Sequence, residues 1–301
     1  MHPDQREAHP AWSDLIVVGL VVGVVAFALY RLTFRLEYRW DWSAIPHYIL
    51  RWDTDAQSWV PNILLLGLLT TIRLTIWGGM LALAVGTAVG CARASRPLFF
   101  RLGGRTYVEC VRNIPELVFI FIFYFFVASQ LMPYLGLDQF VEQATPAQLE
   151  QVNVLFGAPR RLSSFVPGVI AIGLFEAAAV GEIVRAGIQS VPRGQSEAAL
   201  ALGLSRWRTT WKVVFPQAWQ RVLPPLAGQL IALVKDSSLV AIISVQELSF
   251  AGAQVAGATR GMFESWFTVG GIYFVICFSL SMLFAKLERR ARTRAGRTLT
   301  A

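Results

Sequence analysis

Apolar residues along this chain fall in long, nearly unbroken runs, and the polar stretches between them are short and rich in arginine. A helix needs about 20 apolar residues to cross a bilayer, and in lipid a backbone must satisfy its own polar groups, which a helix does. The runs predict an all-α polytopic membrane protein with about six transmembrane helices. They are expected over residues 15–32, 63–91, 117–127 with flanks, 165–188, a fifth opening at Leu223-Pro224-Pro225, and 266–287. The first run ends in Ala28-Leu29-Tyr30-Arg31, which fits a signal-peptide cleavage site poorly, so it is read as a retained span.

The intervals have characters of their own. Residues 1–12 read as a polar tail. Residues 33–61 mix charges with Tyr38, Trp40, Trp42, Tyr48, Trp52 and Trp59, as expected of an external loop resting at headgroup level. A basic turn is expected over 93–105, and the insert 130–164, with Pro133, Pro146 and Pro159, reads as an external loop facing a partner. Residues 246–265 are small and polar, an external re-entrant piece, and 289–301 form a basic tail. Placing the turn at 93–105, the interval 185–221 and the tail on one side gathers most of the arginine and lysine there. By the positive-inside rule both termini are then cytoplasmic.

Composition supports the same class: of 301 residues, 55% are hydrophobic and 15% charged, and the mean hydropathy is +0.51. The net charge of +8 lies in loops between spans, so it reports topology rather than nucleic-acid binding. Cys91, Cys110 and Cys277 have no metal-site spacing and read as small buried hydrophobes. The histidines, His2, His9 and His47, precede the main bundle, and no HExxH or GxSxG appears, so neither a catalytic residue nor a metal site is expected. There is no GxxxxGK[ST] either, so nucleotide must be bound in trans.

Charges inside the spans are the candidate chemistry, because an ionisable residue near mid-membrane is costly to keep without a use. Glu176 lies near the middle of the fourth span. Glu182 and Arg185, three apart, are expected to pair. Pro115 predicts a kink, with Arg112 and Glu116 satisfying freed groups or each other. Lys235-Asp236-Ser237-Ser238 interrupts the fifth span, which predicts a break or local unwinding that lines a cavity.

The interruption from Glu182 to Arg221 holds the most distinctive stretch. Ser196 is expected to cap a short helix of Glu197, Ala198, Ala199, Leu200, Ala201 and Leu202, which stops at Gly203 in a left-handed turn. Ser205 is expected to cap a second helix ending near Phe215, before Pro216. Leu200, Leu204, Trp207 and Trp211 then form an apolar knob ringed by Arg206, Arg208 and Lys212; spacing alone also admits a helix lying on an anionic leaflet.

Gly194, Glu197, Ala198, Ala199, Gly203 and Pro216 resemble the EAA loop of ABC importer permeases. Three further stretches resemble the polar amino acid branch of that family, including glutamate/aspartate and general L-amino acid permeases: Arg112-Asn113-Ile114-Pro115, the run from Gly173 to Gln195, and Lys235-Asp236-Ser237-Ser238-Leu239. Ala179 stands where some permeases for acidic substrates have arginine. The resemblance implies a five-helix permease core over 63–288, with the coupling loop at 190–216, behind an extra N-terminal helix and aromatic loop at 13–62. It also implies a second permease subunit, identical or homologous, a dimer of ABC ATPase subunits that bind ATP and Mg, and an external solute-binding protein that delivers an amino acid across a bacterial inner membrane. Substrate-path candidates are then Glu176, Lys235, Asp236, Ser237 and Arg73. An ion-coupled secondary transporter or channel using Glu176 and Lys235/Asp236 is the alternative.

Overall fold

The computed structural model describes residues 12–31 and 38–297; the tail at 1–11, residues 32–37 of the aromatic stretch and the last four residues lie outside them. The chain divides into two compact units, Met1–Asp41 and Trp42–Ala301. In the first, α1 (Trp12–Tyr30) is apolar on every side: Ile16, Val18, Leu20, Val22 and Phe27 are all exposed, a surface suited to lipid. Among the described residues, five helices are long and apolar enough to cross a membrane, and α1 adds a shorter apolar stretch, Leu15–Phe27.

The second unit opens with a short helix, α2 (Ile45–Ile49), and an antiparallel hairpin, β1 (Leu50–Asp53) with β2 (Ser58–Pro61). The expected loop is thus strand in part. Trp52 and Trp59 face each other across the ladder with ring centroids 5.6 Å apart, and Asp53 Oδ1 closes the turn by accepting from the Asp55 and Ala56 amides.

Next come α3 (Ile63–Ala94), capped by Asn62, and α4 (Leu98–Arg112). The expected basic turn at 93–105 shrinks to the residues around Pro97, because Arg101 and Arg105 are already helical and Arg105 pairs with Glu109 one turn on. Pro115 does not kink a continuous helix. It sits in extended conformation just before α5 (Glu116–Ile122), where its missing N–H is no loss. The aromatic run then widens into a π-helical turn, Phe123–Ala128, and continues as α6 (Ser129–Leu135), so this span is longer than residues 117–127. The supposed loop at 130–164 is mostly helical: α7 (Leu137–Gln143) follows the left-handed Gly136, and α8 (Pro146–Phe156) begins with a reciprocal Thr145/Gln148 cap.

The centre of the bundle is α3 against α9 (Leu162–Gln189). They approach closely because glycine removes the side chain at the contact. A Cβ at Gly86 would lie 2.6 Å from Val180, and one at Gly90 would lie 2.7 Å from the Gly181 carbonyl oxygen. Around this pair Leu74, Ile120, Phe123, Phe165, Ile172, Leu233 and Val240 form a buried cluster.

After α9 come α10 (Arg193–Ala201), α11 (Arg206–Thr209), a π-helical turn Thr210–Val214, and α12 (Phe215–Asp236). Three expectations are corrected here. The helix does not stop at Phe215: Pro216 falls in the first turn of α12, after the π turn has already redirected the ladder. For the same reason the fifth span does not open at Leu223; Pro224 and Pro225 lie inside a helical stretch running Arg206–Ile243. At Lys235-Asp236 the chain does not break either. It tightens into a 3₁₀ helix, Ser237–Ile243, ended by Ser244 at φ +66°. Finally α13 (Leu248–Thr259) is a regular helix, and α14 (Met262–Arg297) starts before residue 266 and carries its apolar span into the basic tail. Of the cysteines, Cys91 and Cys110 are exposed, contrary to expectation, because they face away from the helix contacts that bury their neighbours.

Candidate functional site

Two places in the second unit bring chemistry together. The first is in the interior. Glu176, on the α9 face that packs inward, is 3% exposed and accepts a hydrogen bond from the Gln229 side chain of α12. Glu116, at the start of α5, and Asp236, at the end of α12, turn toward it, and one carboxylate oxygen from each of the three lies within 4.8 Å of the others. Glu116 Oε1 is buried without a hydrogen-bond partner. Three acids with so few donors form an oxygen-rich centre that suits a cation able to donate several hydrogen bonds, such as an ammonium group; the all-oxygen donor set would also suit a hard metal ion.

Beside this centre runs a groove of about 930 Å³, lined mainly by apolar side chains such as Leu83, Val180, Leu226 and Leu230, with Glu176 and Gln229 in its wall. The other candidates fall elsewhere. Lys235 is exposed while its neighbour Asp236 turns in, and Ser237 is buried with its hydroxyl on the Val234 carbonyl. Arg73 binds protein: its Nε and Nη2 donate to the Val154 and Asn153 carbonyls at 3.1 and 3.0 Å, clasping the end of α8. Arg112 is exposed and makes no ion pair with Glu116 among the described residues; Glu116 faces the acids instead.

The second place is the interruption before α12. There α10 starts at Arg193 with Pro192 at its cap, so Ser196 is within the helix rather than before it, and Glu197 lies in the second turn; Gly194 is simply helical and exposed. The stop at Gly203 is as expected. With φ at +83°, the Gly203 amide reaches the Leu200 carbonyl and the Leu204 amide the Ala199 carbonyl, closing the helix end. Ser205 caps α11 through the Arg208 amide. From there the rings of Trp207, Trp211, Phe215 and Trp219 pack in succession, with centroids 5.3, 5.0 and 6.0 Å apart, the first two pairs tilted and the last stacked, and Leu202 and Trp207 are 85% and 71% exposed.

Glu182 and Arg185 pair as expected, joined by an unforeseen partner, Arg93 from the end of α3. Also unforeseen were Gln229, a polar residue inside an apolar span and therefore a visible signal, and Glu247. Glu247 is wholly buried and caps α13 through the Phe250 amide, while Tyr273 of α14 and Thr71 of α3 donate hydroxyls to it at 2.7 and 3.3 Å.

Residues 82–293 match the family of binding-protein-dependent transport system inner membrane components. The chain belongs to this family. It is therefore a membrane permease component and not an enzyme, and the ion-coupled alternative is not favoured. The chain is 33% identical over 252 residues to the glutamate transport system permease protein GluD of Corynebacterium glutamicum, covering 81% of this chain and 82% of that protein. It is 32% identical over 256 residues to the glutamate/aspartate import permease protein GltK of Escherichia coli O6:H1, covering 84% and 99%. Glutamine transport system permease protein GlnP of Escherichia coli K12 is 30% identical over 259 residues, with the same coverage. Among solved structures, an amino acid ABC transporter crystallised with histidines superposes with a TM-score of 0.64 at 26% identity, covering 84% of this chain and all of that one.

Proposed function

We propose that this chain is the permease subunit of an importer for polar amino acids in a bacterial inner membrane, with both termini cytoplasmic. A solute-binding protein delivers the amino acid outside, and a dimer of ATPase subunits, which bind ATP and Mg, docks on the loop at 190–216. A second permease subunit, identical or homologous, completes the pathway. The observation that carries this reading is the pair α10–α11 hinged at Gly203, whose Leu202 and Trp207 stand far more exposed than an isolated subunit in water would favour. The relatives named for glutamate and glutamine support an amino acid as cargo.

Within this scheme the acids around Glu176 take the substrate's ammonium group, reached through the apolar groove. Lys235, exposed beside Asp236, is the cation placed to meet a carboxylate, and Arg73, held by α8, acts structurally. Mass spectrometry of what co-purifies with the tagged chain tests the assembly: an ABC ATPase at near-equal stoichiometry is expected, and its absence under conditions that preserve other such complexes overturns the reading. Gly203→Asp tests the docking loop. No atom crowds a Cβ at Gly203, so the cost is conformational, about 1–2 kcal/mol for a left-handed residue, plus a charge on the docking surface. The expected result is loss of ATPase binding from an otherwise intact permease; ATPase binding and stimulated turnover at wild-type levels would sink the docking assignment.

A further inference from the structure

A second, smaller pocket of about 300 Å³ lies where the start of α3, the start of α9 and the first turns of α13 come together. Its polar lining is Asn62, Arg161, Gln246 and Gln254, and it contains one cation and no acid. Among the described residues, the Arg161 guanidinium has no ion pair or hydrogen bond, and neither glutamine amide has a partner. An unpaired guanidinium and two unpaired side-chain amides therefore line this open volume.

The frame around them is rigid. Asn62 Nδ2 donates to the His47 carbonyl at 2.7 Å while its Oδ1 caps α3. Gln246 directly precedes Glu247, which is pinned by α13, Tyr273 and Thr71. The backbone around the pocket is thereby fixed, while the exposed Arg161 and Gln254 side chains stay free to close on a ligand.

Position narrows the occupant. At its far end α3 delivers Arg93 to Glu182, near the end of α9 and just before the docking loop. Asn62 and Arg161 stand at the opposite ends of these two helices, about 45 Å away along a helix of 32 residues. The pocket is thus on the side away from the ATPase loop. It is framed by helix starts at the end of the bundle, where a protein approaching from water arrives, rather than by the lipid-facing middle of a span.

Resting on the importer reading above, we propose that this pocket receives one carboxylate side chain of the amino-acid-loaded solute-binding protein. Arg161 supplies the charged contact, and Gln246 and Gln254 supply neutral donors that fix its orientation. A guanidinium with amides around it matches a planar carboxylate in charge and in donor geometry.

The test uses the full complex of permease and ATPase subunits in lipid nanodiscs, with the solute-binding protein identified by cross-linking to it, purified and loaded with amino acid. ATP hydrolysis is followed as this binding protein is titrated. Arg161→Gln is expected to raise the half-saturating concentration about tenfold and to flatten its salt dependence, with basal hydrolysis unchanged. Arg161→Glu should raise it further. Arg160→Gln, at an exposed neighbour outside the pocket, should leave it within about twofold.

Wild-type titration curves for both Arg161 variants, or an equal shift for Arg160→Gln, would overturn the pocket assignment. So would a shift only in the dependence on free amino acid, which makes the substrate's own carboxylate the occupant. A difference between wild type and Arg161→Gln that vanishes when anionic lipid is omitted would assign the pocket to a lipid phosphate instead. Failure of the wild-type complex to respond to any binding protein would overturn the importer reading itself, and that result is separate because it precedes any variant.

Discussion

Two carboxylates in this bundle are equally hidden from water and oppositely treated by their neighbours. Glu247 is fully buried and accepts from the Phe250 amide, the Tyr273 hydroxyl and the Thr71 hydroxyl. Glu176 is 3% exposed, receives one side-chain hydrogen bond, from Gln229, and faces two more acids. Burying a charge is tolerable when hydrogen bonds replace the lost water, so Glu247 needs nothing from outside the protein. The acids around Glu176 have more acceptors than the protein has donors nearby. The contrast separates a joint that ties α3, α13 and α14 together from a cluster that the proposed function assigns to a ligand.

The largest effect should come from breaking the joint. Glu247→Leu leaves the Tyr273 and Thr71 hydroxyls and the Phe250 amide without their acceptor, at about 1–3 kcal/mol for each group left buried and unpaired. The expected outcome is loss of folded, monodisperse protein, read by size-exclusion chromatography after graded heating, with Glu247→Gln recovering part of the stability. A Glu247→Leu protein as heat-resistant as wild type would erase the distinction between the two acids. Glu176→Gln should do the reverse. It removes one acid from the cluster but keeps an acceptor for Gln229, so thermal stability holds while uptake falls roughly tenfold or more, as for a lost hydrogen bond to a charged group. Unchanged uptake kinetics would take Glu176 out of the substrate path.

Glu116→Gln and Asp236→Asn should each lower uptake less, about threefold, because each leaves Glu176, which stands in the wall of the groove, to face the ligand. Uptake measured at several substrate concentrations checks this. A variant that abolished transport while Glu176→Gln did not would move the centre of the site toward α5 or the end of α12.

The parts of this architecture that could be read from residues alone are the local ones. Apolar runs announce spans, Gly203 announces a left-handed stop, Ser205 a cap, and Glu182 with Arg185 a pair on one helix face. Span ends were less legible, because a run that is apolar on every side has no period to show where it leaves the membrane. Pro216 also misled: in a first turn proline marks a beginning rather than an end. The hairpin at Trp52 and Trp59 was hidden because aromatic residues suit both a strand pair and a membrane surface. The inward turn of Glu116 and the partners Gln229 and Arg93 depend on contacts between distant segments, which local spacing does not encode. Glu176 was visible as a costly charge, but the two acids gathered around it were not.

Glu182 is the intermediate case, and it sharpens the comparison. It is an acid with two cationic partners, Arg93 from α3 and Arg185 from its own helix, near the end of the span and only partly buried. Arg93→Gln leaves Glu182 paired with Arg185 and close enough to water to recover what it lost. The expected cost is therefore small, below about 1 kcal/mol, with uptake near wild type. Arg185→Gln alone should behave similarly, whereas the double substitution leaves the acid without a cation and should cost more than the sum of the two. Heating curves of the four proteins form a complete cycle. If the two single losses simply add, each arginine acts independently and the three residues are not a network. If the double loss exceeds their sum, Glu182 is held in the manner of Glu247, by partners that substitute for one another.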